Sequence, residues 1–71
     1  MFTTDTVKLG DKSKSVTLYK RILKGRGWNV TISSTYDAAF RPIVKAFQKK
    51  HGLTVDGIIG PKTAAKIIDL E

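Results

Sequence analysis

Apolar positions along the chain fall into three periodic blocks separated by glycine-rich breaks. Val16, Leu18, Tyr19, Ile22 and Leu23 recur at three- and four-residue spacing, which is one face of a helix. Ser13 or Ser15 can cap its start, because a hydroxyl there accepts from an amide left without a partner in the first turn. Gly25 and Gly27 stop this helix near Arg26, while Lys20, Arg21 and Lys24 fall largely on the opposite face. Phe40, Ile43, Val44 and Phe47 give the cleanest stripe, at i, i+3, i+4 and i+7, with Asp37 as an N-cap and Gly52 as the stop. Pro42 conflicts with a start at Ala38, since its ring would crowd the carbonyl four residues back. The second helix therefore either begins near Arg41-Pro42 or kinks there. Pro61 opens a third helix where a missing N–H is no loss, with Ala64, Ile67 and Ile68 inward and Ala65 and Leu70 flanking.

The connections are short. Trp28 to Ser33 alternates apolar and polar residues and reads as a brief strand or, preferably, an extended loop. Gly52, Gly57, Gly60 and Pro61 constrain the backbone between the second and third helices, with Gly57 placed for a positive φ. The expected fold class is all-α: a small three-helix bundle with little or no strand. Residues 7–71 form the domain, and residues 1–6 are expected to be a disordered or extraneous lead-in. The halves also repeat. Gly27-Trp28-Asn29-Val30 answers Gly52-Leu53-Thr54-Val55 at an offset of 25, and Leu18 and Ile22 answer Ile43 and Phe47. Tyr36, Phe40, Pro42 and Val44 answer Ile59, Thr63, Ala65 and Ile67 at an offset of 23. Two similar loop-to-helix junctions around one core follow from this.

Seventy-one residues with no cysteine exclude a disulfide framework and a thiolate metal site. No apolar run nears the roughly 18 residues that span a bilayer, so membrane insertion is not expected. The start, Met1-Phe2-Thr3-Thr4-Asp5, does not read as a signal peptide. The net charge of +7 is uneven: residues 8–26 carry +6, residues 27–53 carry +3, and each end carries −1. An anionic partner or surface is implied. A nucleic-acid-binding helix-turn-helix is the competing class. It fits poorly, because nine residues (52–60) separate the second and third helices, where that motif uses three or four. The last helix also supplies only Lys62 and Lys66.

The ordered run Val7-x-x-Gly10-Asp11-x-Ser13-x-x-Val16-x-x-Tyr19-x-x-x-Leu23-x-x-x-Gly27-Trp28 resembles the opening of the bacterial peptidoglycan-binding domains. The remainder, Val44-x-x-Phe47-Gln48-x-x-x-Gly52-Leu53-x-x-Asp56-Gly57-x-x-Gly60-Pro61-x-Thr63, is similar to their second-half signature. The resemblance spans about residues 7 to 70. It implies a non-catalytic three-helix module that targets a cell-wall hydrolase of the endolysin, amidase or lysozyme type. It further implies an extracellular or wall location, no cofactor, and peptidoglycan (glycan strand or stem peptide) as partner. Anionic wall polymers join the expected partners through the charge, nucleic acid does not, and the module is expected to be a monomer. Three departures stand out: Lys20 where the family has Gln, residues 32–40 in place of the first-half D-G-x-x-G-x-x-T, and Pro42 where Ala is usual.

Candidate ligand residues are Arg26, Trp28, Gln48, Asp56, Gly57, Gly60 and Thr63. The indole of Trp28 can stack on a sugar ring, or serve as a staple after the helix end. The amide of Gln48 can donate to and accept from an acetamido or peptide ligand, or be solvated or cap a loop. Asp56-Gly57 reads first as a turn and second as a ligand contact. Gly60-Pro61 sets the amides of the third helix start, where a stem-peptide carboxylate would be favoured. Two substitutions follow: Gly60→Val is expected to destabilise the junction, and Gln48→Ala to spare the fold and weaken wall binding. With one histidine, no cysteine and no carboxylate pair on a helix face, catalysis by this chain is not expected, and no metal site is implied.

Overall fold

The computed structural model describes residues 6–70. The expected lead-in therefore lies outside the described residues, apart from Thr6. Three helices follow one another: α1 (Lys14–Gly25), α2 (Phe40–Lys50) and α3 (Pro61–Asp69). The only pairing outside them, among the described residues, is two isolated antiparallel bridges, Val7 with Ile59 and Lys12 with Thr35. Residues 28–33 are extended loop, as the sequence favoured.

Ser13 caps α1, its Oγ accepting from the Val16 amide at 3.4 Å. Both α1 and α2 end in the same glycine motif. The Trp28 and Leu53 amides reach back to the Leu23 and Gln48 carbonyls at 3.1 and 2.8 Å, with Gly27 and Gly52 at φ of 94° and 69°. Pro42 poses no conflict because α2 starts at Phe40, which puts the proline in the first turn, where no amide has an intrahelical acceptor. Asp37 holds that start from further out, its Oδ1 accepting from the Phe40 amide at 3.0 Å, while Ala39 occupies the cap position.

The core joins Val16, Tyr19 and Leu23 of α1 with Phe40, Val44 and Phe47 of α2 and Ala64 and Ile67 of α3. Val7, Val30, Tyr36 and Ile59 close it from the loops. Helix α3 packs on α1. One placement departs from the sequence pattern: Lys20 is not on the solvent face but is 1% exposed.

Residues 7–13 form a strap that binds both junctions. Val7 exchanges two backbone hydrogen bonds with Ile59, at 2.9 and 2.8 Å. Three residues on, Gly10 donates to the Tyr36 carbonyl and Tyr36 donates to the Asp11 carbonyl, at 2.9 and 2.8 Å. Tyr36 and Ile59 are repeat partners at an offset of 23, so one short segment makes the same kind of contact twice.

Candidate ligand groove

The second junction is built around Gln48, which is 1% exposed. Its Nε2 donates to Asp56 Oδ1 and the Ile58 carbonyl, both at 2.9 Å, and approaches Thr63 Oγ1 at 3.2 Å. Its Oε1 accepts from the Asp56 and Gly57 amides at 3.1 and 3.0 Å. These bonds use the whole hydrogen-bonding capacity of a primary amide. Of the two roles read from the sequence, loop capping is the one the structure realises, and no donor or acceptor is left over for a ligand. Gln48→Ala thus removes a structural clasp, and the expectation that it spares the fold is corrected.

Asp56 turns the chain, its Oδ1 also accepting from the Ile58 amide at 2.9 Å. That amide foremost, then the Gln48 side chain, holds its carboxyl below the ordinary value of 3.8. Gly57 follows at φ 73°, and a Cβ there would lie 3.1 Å from Arg41 Nε and 3.3 Å from Lys45 Cε. Gly60, by contrast, has φ −87° and open space where a Cβ would sit. The expected destabilisation of the junction by Gly60→Val finds no support in the backbone angle or in the space at the Cβ of that position. The Gly60 amide donates to the Ile58 carbonyl at 3.1 Å, and Pro61 has no N–H. The amides available at the α3 start are therefore those of Lys62 and Thr63, rather than those of Gly60-Pro61.

Above this clasp opens a groove of about 620 Å³, lined by residues that include Leu53, Asp56, Ile58, Gly60, Lys62 and Thr63. Three of the seven sequence-picked residues line it: Asp56, Gly60 and Thr63. Gln48 and Gly57 are buried and shape the turn instead. Trp28 and Arg26 lie elsewhere, at the exit of α1. Trp28 is half-buried, edge-on to Phe47 at 5.9 Å, so the staple reading holds for its inner side. Leu53, Ile58 and Lys62 were missed; the signal for Ile58 was a large apolar residue beside a turn, and it is 38% exposed.

The first junction repeats this plan with other chemistry. Lys20 Nζ donates to Ser33 Oγ at 2.8 Å and to the Thr35 carbonyl at 2.7 Å, and sits 5.0 Å from the Phe40 ring centre. Ser33, Thr35 and Phe40 are the offset-23 partners of Asp56, Ile58 and Thr63, so Lys20 is the counterpart of Gln48. That pairing has an offset of 28, against 25 for the glycine stops, because α1 runs one turn further past its clasp. The pairing of Leu18 and Ile22 with Ile43 and Phe47 thus follows the helix ends and not the clasps. A smaller groove of about 310 Å³ borders Lys20, Asp37 and Phe40.

Two clasped loop-to-helix junctions and a groove at the second define a small helical binding module. The family model of the peptidoglycan binding domain matches residues 12–67, and the chain belongs to that family. It is 38% identical over 63 residues to the carboxy-terminal processing protease CtpA of Bacillus subtilis (strain 168), covering 89% of this chain and 14% of that protein. A peptidoglycan-binding protein from Clostridioides difficile, solved in complex with glutamine hydroxamate, matches with a TM-score of 0.85 at 39% identity. That match covers 90% of this chain and 40% of the other. A Burkholderia AP3 phage endolysin matches with a TM-score of 0.82 at 41% identity, over 90% of this chain and 25% of the other. The chain thus spans one part of each of these longer proteins.

Proposed function

We propose that this chain, as the unit 7–71, is a non-catalytic anchor that seats a peptidoglycan stem peptide in the groove at the start of α3. The observation that carries this reading is the groove itself, about 620 Å³, set on a fully bonded clasp and therefore pre-shaped. Its lining suits a peptide end. Leu53 and Ile58 offer apolar walls, and the Lys62 ammonium with the first-turn amides of α3 favours a carboxylate. Glycan contact at the groove rim is compatible with the same seat.

Catalysis is assigned to other parts of a longer wall-acting protein. His51 is the single histidine and packs at 4.3 Å against the Phe47 ring, outside the groove lining. Among the described residues no three His, Cys, Asp or Glu groups gather for a metal, and no helix is long and apolar enough to cross a membrane. The module works at the cell wall as a monomer in this reading. Co-sedimentation with purified sacculi stripped of teichoic acid tests it: the protein is expected to pellet at physiological salt, and protein left in the supernatant overturns the proposal.

A further inference from the structure

The groove leaves Arg26 and Trp28 unused, and these sit in the most cationic part of the molecule. The exits of α1 and α2 meet at Trp28. Its ring lies edge-on to Phe47 at 5.9 Å, Lys50 Nζ stands 5.8 Å from its centre, and His51 stacks on the far neighbour Phe47 at 4.3 Å. Arg21, Lys24, Arg26, Lys49 and Lys50 are all exposed, the first three on or just past the end of α1 and the last two in the final turn of α2, where Lys50 stands against the indole. Arg21 and Arg26 also flank a depression of about 390 Å³ floored by Leu18, Ile22 and Gly25. No Asp or Glu occurs between Asp11 and Asp37, nor between Asp37 and Asp56, so neither helix exit carries an acid of its own.

Lysines at a helix C-terminus have an ordinary explanation, since cations there oppose the helix dipole. That accounts for Lys24, Lys49 and Lys50. It does not account for Arg21, or for the half-buried indole between the two basic helix ends. We infer that this face is a second docking surface, separate from the groove, for a flexible phosphodiester polymer of the wall: arginines and lysines meet phosphates, and Trp28 meets the polyol or sugar carbons between them. Charge complementarity selects a polyanion over a neutral glycan. A basic surface gathered at two helix exits around one aromatic suits a flexible chain better than a rigid duplex, which calls for a helix laid in a groove. Two separate seats would let the domain hold a wall by peptide and polymer together.

Trp28 is the only tryptophan, so its fluorescence reports on this face directly. The protein is titrated with poly(glycerol phosphate) at several salt concentrations, and sedimented with sacculi that carry or lack teichoic acid. A saturable change in tryptophan emission is expected, with tighter binding to the teichoic-acid-bearing sacculi. The quadruple variant Arg21→Gln, Arg26→Gln, Lys49→Gln, Lys50→Gln changes only exposed positions and is expected to stay folded, melting slightly below the parent because the α2 exit loses its two lysines. On a flexible polyanion each phosphate contact adds roughly 0.7 to the slope of log K against log salt, so the variant should lose about 2 to 3 from that slope. Its binding to stripped sacculi should be unchanged. An unaltered emission, an unaltered slope in the folded variant, or equal binding to duplex DNA of matched charge would each overturn the inference. Failure of the groove reading looks different: binding to stripped sacculi is lost while polymer binding persists.

Discussion

A primary amide offers two donors and two acceptor sites, and Gln48 directs all of them at the 56–58 turn and Thr63. Truncation to alanine orphans the buried Gly57 amide and opens a cavity at the same time. A buried donor left unpaired costs about 1–3 kcal/mol, and the missing side chain adds to this, so Gln48→Ala is expected to lower stability by roughly 2–4 kcal/mol. A urea titration checks it; an unmoved midpoint would refute the clasp. The sequence left Gln48 ambiguous for a physical reason. It follows Phe47 at the edge of the apolar stripe, and what buries it is a loop that folds back from eight to ten residues on. Gly60 is the converse case. Its extended backbone accepts a side chain and its Cβ direction is open, so Gly60→Val is expected to cost under about 1 kcal/mol, as an N-cap change. Valine there narrows the groove, so melting should hold while affinity for stripped sacculi falls. The two substitutions exchange the roles expected of them from sequence.

At the scale of elements, periodicity and glycine placement foretold much of the fold. The three stripes became three helices, Gly27 and Gly52 became the two stops, and Gly57 took the positive φ. What the stripes could not encode is which loop atoms a helix grips. Lys20 shows the difficulty: its charge reads as solvent-facing, yet its ammonium reaches Ser33 and Thr35 because the 28–35 loop wraps over α1. The 54–58 turn carries its own pH dependence. Asp56 ionises more readily when folded, so the unfolded chain binds the proton more tightly at acid pH. The turn's contribution is complete above the ordinary value of 3.8 and is lost as pH falls through the lower folded value. Stability followed against pH should show this acid loss, and Asp56→Asn should flatten it.

For the molecule as a whole, the strap and Tyr36 tie the two junctions into one unit. Tyr36 belongs to the first junction by its backbone, yet its hydroxyl donates to the Gly57 carbonyl in the second. The sequence showed the two junctions as repeats but not this cross-tie. Tyr36 stands between Thr35 and Asp37 in the sequence, and nothing there points to the carbonyl it meets 21 residues away. The site was legible to the same degree: Asp56, Gly60 and Thr63 share one signature and one groove, while Trp28 and Arg26, picked with them, lie outside that groove, Trp28 edge-on to Phe47. Burial, opposed by the Arg41 charge, pushes the Tyr36 hydroxyl up from 10.0 to about 12. Between those values the unfolded chain releases the proton and the folded chain keeps it, so stability is full below pH 10 and falls as pH rises toward 12. A gap of about two units corresponds to about 3 kcal/mol as an order of magnitude. Lysines titrate in the same range, so the comparison that isolates Tyr36 is with Tyr36→Phe. Phenylalanine loses the bond to Gly57, worth about 1 kcal/mol at neutral pH, and should lose stability less steeply above pH 10. Parallel curves for the two proteins in denaturant titrations from pH 8 to 12 would show that Tyr36 does not couple the junctions in this way.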